Sequence, residues 1–158
     1  MIGLLQGKSL ILWCVENRID TIVIGSNPGW KQKAALGKET NQKFVQIPFD
    51  RLKQILKYQG ERNGLRILEQ GEAYTSKASF MDQDEIPDIG EEASFSGTRI
   101  GRGLYRTKNG ERINSDLNGS ANILRKAFPD GFSGRSVPDF KNIVVIKHPD
   151  EMLKNQKM

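Results

Sequence analysis

Apolar and polar positions recur with a helical period in three segments of the chain. The first segment runs from about residue 3 to 17, and its apolar residues share one face: Leu4, Leu5, Ile11, Leu12 and Val15. The second is Ile47–Arg62, with Pro48 at the first helical position and Gly64 after the end. Its apolar face comprises Phe49, Leu52, Ile55 and Leu56. The third segment follows Ile113 and stops before Pro129, which cannot continue a helix.

Two short apolar runs separate these helices. Thr21–Gly25 reads TIVIG, and Leu65–Leu68 reads LRIL, both typical of buried strands. A polar, lysine-bearing loop is expected from Trp30 to Thr40. The order helix, strand, helix, strand, helix is an α/β pattern, and its crossover connections favour parallel strands.

The third helix opens with an unusual run of polar residues. Ser115 is a suitable N-cap, which places Asp116 in the first turn, where unpaired N–H groups and the helix dipole favour an anion. Leu117, Ala121, Leu124 and Phe128 are three or four residues apart and predict an apolar face that packs inward. Asp116 lies off that face. Taken alone, this pattern favours an ordinary capping role for Asp116.

The region from Lys77 to Arg112 has no clear period and separates its charges. Its first part, Met81–Glu92, carries six acidic residues and no basic one: Asp82, Asp84, Glu85, Asp88, Glu91 and Glu92. Its second part carries one acid, Glu111, against five basic residues: Arg99, Arg102, Arg106, Lys108 and Arg112. Two interpretations are equally supported. The region is a solvated loop or hairpin, or its basic half, with Tyr105 among the arginines, follows a phosphate backbone.

Composition limits the chemistry. The chain of 158 residues is one modest domain or a piece of a larger protein, and its net charge of +5 is weak evidence for an anionic partner. No apolar run approaches the roughly 20 residues needed to cross a bilayer, and no signal peptide is evident, so a cytoplasmic protein without a membrane partner is expected. Cys14 and His148 are the only residues of their kinds. A disulfide within the chain and a multi-cysteine or multi-histidine metal site are therefore excluded.

Any metal must accordingly be held by carboxylates, which suit magnesium or manganese. Glu72 follows the second strand and Asp116 opens the last helix, so both are expected beyond the strand ends, where open α/β sheets collect ligands. Two-metal sites hold their ions roughly 3.5 to 4 Å apart and activate water against a phosphodiester. Glu69 and Asp82 are further candidates, although surface charges explain them more simply.

The residues resemble a known family over about positions 10 to 130. Three runs closely resemble the C-terminal half of TnpB/OrfB proteins of insertion sequences, which are transposon-encoded relatives of type V CRISPR nucleases: Thr21–Gln32, Asn41–Pro87 and Phe95–Pro129. The resemblance implies a RuvC-like nuclease domain of RNase H-like fold over residues 1–130, followed by a C-terminal tail at 131–158. It also implies magnesium or manganese, a DNA target and a transposon-derived guide RNA.

The resemblance assigns roles to individual residues. Asp116, in SDLNGSANI, is similar to the last catalytic aspartate of the family, and Asn118 and Asn122 would steady that turn. Many members carry a catalytic glutamate at the end of the strand that here ends in Gly25. In the branch that this sequence resembles, the glutamate before the motif Tyr74–Ser76 takes over, and here it is Glu72. Thr75 and Ser76 support that motif.

Two features depart from the family pattern. Most members carry two Cys-x-x-Cys pairs that form a zinc ribbon, and this chain has none, so no zinc is expected. The region 77–112 would then be an irregular insertion, stabilised without metal by Phe80, Ile86, Phe95 and Tyr105. The family's first catalytic aspartate also has no counterpart before Thr21. We therefore expect an N-terminally truncated core, whose missing strands a partner chain would supply.

These features leave alternative functions open. The first alternative, which the resemblance implies, is the C-terminal nuclease part of an RNA-guided DNA endonuclease, expected to be inactive alone, with Glu72 and Asp116 as metal-binding catalytic residues. Alternatively, it is a non-catalytic nucleic-acid-binding remnant or regulatory fragment. Binding would then use the basic segment and its tyrosine: Arg99, Arg102, Tyr105, Arg106, Lys108 and Arg112. A decayed gene product without a present role is a third alternative.

Overall fold

The computed structural model describes residues 2–27 and 39–132. Its elements, in chain order, are helix α1 (Ile2–Glu16), strand β1 (Thr21–Ser26), helix α2 (Glu39–Arg62), strand β2 (Arg66–Gly71), strands β3 (Thr98–Gly101), β4 (Leu104–Arg106) and β5 (Arg112–Asn114), helix α3 (Ser115–Ala127) and a short 3-10 helix (Pro129–Phe132). The predicted order of helix, strand, helix, strand and helix is found, with three strands before the last helix that were not predicted. The predictions for 30–38, His148 and most of the tail fall outside the described residues.

The boundaries of α2 correct one prediction. The helix begins at Glu39, so Pro48 lies nine residues inside it and is not its first residue. A proline inside a helix removes one backbone hydrogen bond, and tertiary context overrides the preference for the first turn. The predicted end is confirmed. Gly64 has a φ of 75°, and the N–H of Leu65 donates to Gly60 O at 2.9 Å, the left-handed ending that glycine favours.

The described residues form two compact units, 2–22 with 39–68 and 23–27 with 69–132. In the first unit, α1 packs on α2, and Ile11, Cys14, Leu56 and Leu65 are buried. Burial raises the pKa of the Cys14 thiol. Of the apolar face predicted for α2, Leu56 is buried but Phe49 is 43% exposed.

Strands β1 and β2 form a two-stranded sheet. The N–H of Arg66 donates to Asp20 O at 2.8 Å, and the N–H of Glu72 donates to Ser26 O at 3.1 Å. Both bonds join residues with the same offset along the chain, so the two strands run parallel, as predicted. This pairing brings the end of β1 beside the residue that follows β2.

The second unit contains a three-stranded antiparallel sheet in the order β3-β4-β5. Within the predicted insertion, residues 77–112, the expectation of irregular structure is therefore wrong for residues 98–112. These strands are only three or four residues long, too short for an alternating pattern to stand out in the sequence. Tyr105 pairs with Ile113 across β4 and β5, and both side chains are buried on the inner face.

None of the helices in the described part of the chain has the length and apolar character needed to cross a membrane.

Candidate functional site

The first turn of α3 presents Asp116 to solvent. The N-cap is Asn114, not Ser115 as predicted: Asn114 Oδ1 accepts hydrogen bonds from the N–H of Asp116 at 2.8 Å and of Leu117 at 3.1 Å. Asparagine caps as well as serine does, and here the chain enters the helix one residue earlier. Ser115 is buried instead. Because Asn114 satisfies these donors, the Asp116 carboxylate is not needed as a cap.

The buried face of α3 is polar. Ser115, Asn118 and Asn122 are its buried residues, and both asparagines are fully enclosed. The residues of the predicted inward apolar face do not form the buried side of the helix, because Leu124 is 39% exposed and Leu117, Ala121 and Phe128 are only half-buried. The polar side of this helix faces inward because the buried backbone groups of the neighbouring segment Thr75–Phe80 require hydrogen-bond partners.

Asn118 and Asn122 bind the segment Thr75–Phe80. Asn118 donates from Nδ2 to Ala78 O at 2.8 Å and accepts from the N–H of Phe80 at 3.0 Å. Asn122 donates from Nδ2 to Thr75 O at 2.9 Å and to Ala78 O at 2.7 Å. The two amides thus satisfy backbone groups that lie in no strand or helix. They fix the segment Thr75–Phe80, called the Thr-Ser segment below, to the helix that carries Asp116.

Glu72 begins the turn that enters this segment. The N–H of Thr75 donates to Glu72 O at 3.2 Å, and the Thr75 hydroxyl donates to the same oxygen at 2.9 Å. Thr75 is buried, whereas Ser76 and Glu72 are exposed. The backbone of Glu72 is therefore held on both sides, by Ser26 in β1 and by Thr75.

The side chain of Glu72 lies against Gly25. A Cβ atom on Gly25 would stand 2.9 Å from Glu72 Oε2 and 2.8 Å from Ile123 Cδ1. Ile123 and Asp116 are seven residues apart in α3 and so lie on the same face, about 10 Å apart along the axis. The structure thus places Gly25, Glu72 and the Asp116 face of α3 on one side of the second unit.

The two carboxylates supply oxygen ligands of the kind that magnesium prefers. Among the described residues, neither the Glu72 nor the Asp116 carboxylate has a hydrogen-bond or ion-pair partner. No group of three or more His, Cys, Asp or Glu side chains in the described part could hold a metal ion. The donor chemistry fits a divalent ion, and the number of protein ligands is small for a two-metal site.

Asp82, one of the two further candidates, has another role. Its Oδ2 accepts hydrogen bonds from the Ser79 hydroxyl at 2.5 Å and from the N–H of Lys108 at 2.9 Å. Burial raises the pKa of Asp82, but the hydrogen bonds from Ser79 and Lys108 and the charge of Lys108 outweigh it, and the pKa lies below its ordinary value. Asp82 joins the two ends of the insertion, a role that its sequence context did not indicate.

Tyr105 lies inside the insertion and is not a surface residue. Its side chain is fully buried, and its hydroxyl donates to Lys77 O at 2.8 Å. Burial, together with the nearby charge of Asp84, raises its pKa to about 12. The prediction that Tyr105 contacts nucleic acid is corrected, because a buried ring cannot stack on a base. An aromatic residue among arginines looks the same in sequence whether it faces in or out.

The basic residues of the insertion are exposed. Arg106 and Arg112 stand directly opposite each other on β4 and β5. Because the side chains of Tyr105 and Ile113 fill the inner face, the two arginines share the outer face. Arg99, Arg102 and Lys108 are also exposed, and Arg99 Nε donates to Gly101 O at 3.3 Å. No salt bridge to Arg106 or Arg112 is present among the described side chains.

Comparison with curated proteins gave no significant match. Residues 49–123 match a family model described as Cas12f1-like, TNB domain. The matched segment includes β2, Glu72, the Thr-Ser segment, the insertion and most of α3. This similarity supports a relation between the chain and the TnpB and Cas12 proteins.

Proposed function

We propose that the chain is the nuclease part of a transposon-encoded, RNA-guided DNA endonuclease with a RuvC-like, RNase H-like core. In this proposal, Glu72 and Asp116 bind a magnesium or manganese ion. The observation that carries it is the position of Glu72 Oε2, 2.9 Å from the place of a Cβ on Gly25. The similarity of residues 49–123 to the Cas12f1-like TNB domain supports the same family of functions.

In this proposal, Glu72 takes the place of the glutamate that many family members carry at the end of the strand corresponding to β1. A side chain at position 25 would point toward Ile123 and hence toward the face of α3 that bears Asp116. Glycine leaves this space open, and the carboxylate of Glu72 reaches it from the neighbouring parallel strand. The proposal thus has a carboxylate on the side of the unit toward which position 25 points, although it comes from a different position in the sequence.

The chain's own residues would hold and orient the ion. A bound divalent ion supplies Lewis acid chemistry toward a phosphodiester. Asn114 satisfies the helix N–H groups and leaves the Asp116 carboxylate unengaged, while Asn118 and Asn122 fix the segment after Glu72. A third carboxylate would come from a partner chain or from residues outside the described part.

Metal titration of the full chain tests this proposal. Manganese binding, followed by electron paramagnetic resonance, is expected to weaken in both Asp116→Asn and Glu72→Gln. Glu92→Gln is the matched control, because Glu92 is an exposed acid of the insertion. Unchanged manganese affinity in both site variants would refute the metal site. With guide RNA and target DNA, the chain alone is expected not to cut, because two carboxylates hold a metal pair poorly.

A second candidate function is nucleic-acid binding without catalysis. The observation that favours it is the opposed pair Arg106 and Arg112 on the exposed face of the small sheet. Like charges opposite each other on neighbouring strands are destabilising, and an anion between them would relieve the repulsion. Binding should then weaken steeply with salt, and affinity that does not change with salt would reject it. Asp116→Ala discriminates the two candidates, because it should abolish metal binding and leave nucleic-acid affinity unchanged.

A further inference from the structure

Tyr74 adopts a backbone conformation that its residue type disfavours. The N–H of Thr75 donates to Glu72 O and closes a four-residue turn in which Tyr74 is the third residue, with a φ of 61°. Glycine and asparagine favour this position, and a bulky residue there is an outlier. Strained conformations of this kind persist only where the surrounding structure holds them.

The contacts of the Tyr74 side chain lead into the insertion. Its ring lies 6.0 Å from the ring of Phe95, and its hydroxyl donates to Glu91 O at 3.4 Å. Lys77 Nζ lies 5.8 Å from the centre of the ring. The insertion therefore holds the ring, and the ring fixes the turn that begins at Glu72.

We infer that Tyr74 is a positioning residue, which keeps the Glu72 carboxylate against Gly25 only while the insertion is docked on its ring. This inference rests on the proposed metal-binding function of Glu72. It makes the insertion a regulatory element of that site, because any partner that shifts the segment Glu91–Phe95 would change the position of the carboxylate.

Two variants separate the ring from the turn. Tyr74→Gly removes the ring and introduces a residue that adopts a positive φ readily, so the turn can still form. Tyr74→Phe keeps the ring and removes only the hydroxyl. Phe95→Ala removes the ring's partner and leaves the turn sequence intact. Gln83→Gly is the matched control: Gln83 also has a positive φ, of 55°, but lies within the insertion.

The first readout is geometric and needs no metal. Glu72 Cβ lies 3.7 Å from the place of a Cβ on Gly25, so a nuclear Overhauser effect between Glu72 Hβ and Gly25 Hα is expected in the wild-type chain. It should weaken strongly in Tyr74→Gly and Phe95→Ala and persist in Tyr74→Phe and Gln83→Gly. Thermal unfolding confirms that each variant is folded at the temperature of the measurement.

The second readout is manganese affinity, which should fall about 10-fold in Tyr74→Gly, as for other residues that orient a ligand, and stay at the wild-type value in Tyr74→Phe. The inference would be overturned if both the nuclear Overhauser effect and the manganese affinity were unchanged in Tyr74→Gly. It would also be overturned if the wild-type chain showed no nuclear Overhauser effect between Glu72 and Gly25. Loss of the ring's partner in Phe95→Ala without any movement of Glu72 would overturn it too. A signal that depends on Tyr74 in a chain that binds no manganese would support the positioning role and refute the metal site.

Discussion

The carboxylate of Glu72 lies in contact distance of the empty side-chain position of Gly25, with Oε2 2.9 Å from where a Cβ would stand. The two residues belong to neighbouring parallel strand ends, joined by the hydrogen bond from the N–H of Glu72 to Ser26 O at 3.1 Å. Glycine at position 25 is thus a condition for the observed position of Glu72.

Gly25→Ala should therefore displace Glu72. The added methyl group would also stand 2.8 Å from Ile123 Cδ1, so the side chains of Glu72 and Ile123 must both move away from position 25. We expect a loss of about 1–2 kcal/mol in the free energy of unfolding, since overpacking costs this much, and a weaker manganese affinity. Gly71→Ala is the control, because a Cβ there has no neighbour within 4 Å. Equal effects of the two substitutions would contradict the contact.

Asn118→Ala should be among the most damaging substitutions in the second unit. It removes the bond that the Asn118 amide donates to Ala78 O and the bond that it accepts from the buried Phe80 N–H, whereas Ala78 O keeps the bond from Asn122 Nδ2. The free energy of unfolding should fall by about 1–3 kcal/mol, measured by urea denaturation. Ser120→Ala, on the exposed side of the same helix, should change it by less than about 0.5 kcal/mol. A loss below about 1 kcal/mol for Asn118→Ala would show that water replaces the amide.

The main helices and strands were predictable from the sequence because their periods are long or their apolar runs continuous. The ends of α1 and the parallel pairing of β1 and β2 follow from local signals and from the crossover rule. The α3 orientation was not predictable in this way. Its two buried asparagines face inward because they bind backbone groups about 40 residues away in the chain. No local sequence pattern contains this information.

The candidate site was predictable only in part. Glu72 and Asp116 stand out by their place after a strand and at a helix start, but the relation of Glu72 to Gly25 depends on the register of two strands. Asp82 belonged to a run of acids and was not distinguishable from its neighbours by type. Its role depends on contacts with Ser79 and Lys108, which only the fold brings together.

The double substitution Arg106→Gln with Arg112→Gln should reduce nucleic-acid binding. If each arginine contacts one phosphate, the slope of log affinity against log salt concentration should fall by about 2. Stability should stay constant or rise by about 0.2–1 kcal/mol, because two like charges no longer face each other. Arg66→Gln is the control, since this exposed arginine lies 3.9 Å from Asp20. An unchanged salt slope in the double variant would reject the exposed sheet face as the binding surface.

Asp82→Asn should change how stability depends on pH. The pKa of Asp82 is lowered in the folded chain from an ordinary value of 3.8, because the bonds from Ser79 and Lys108 outweigh the effect of burial. Its stabilising contribution is therefore fully present above about pH 3.8 and is lost as the pH falls through the lowered pKa. Chemical denaturation between neutral and strongly acidic pH should show a shallower acid-side loss of stability in Asp82→Asn than in the wild-type chain. Glu92→Gln makes the same change in charge and should keep the wild-type slope, and a wild-type slope in Asp82→Asn as well would disprove the role of the carboxylate.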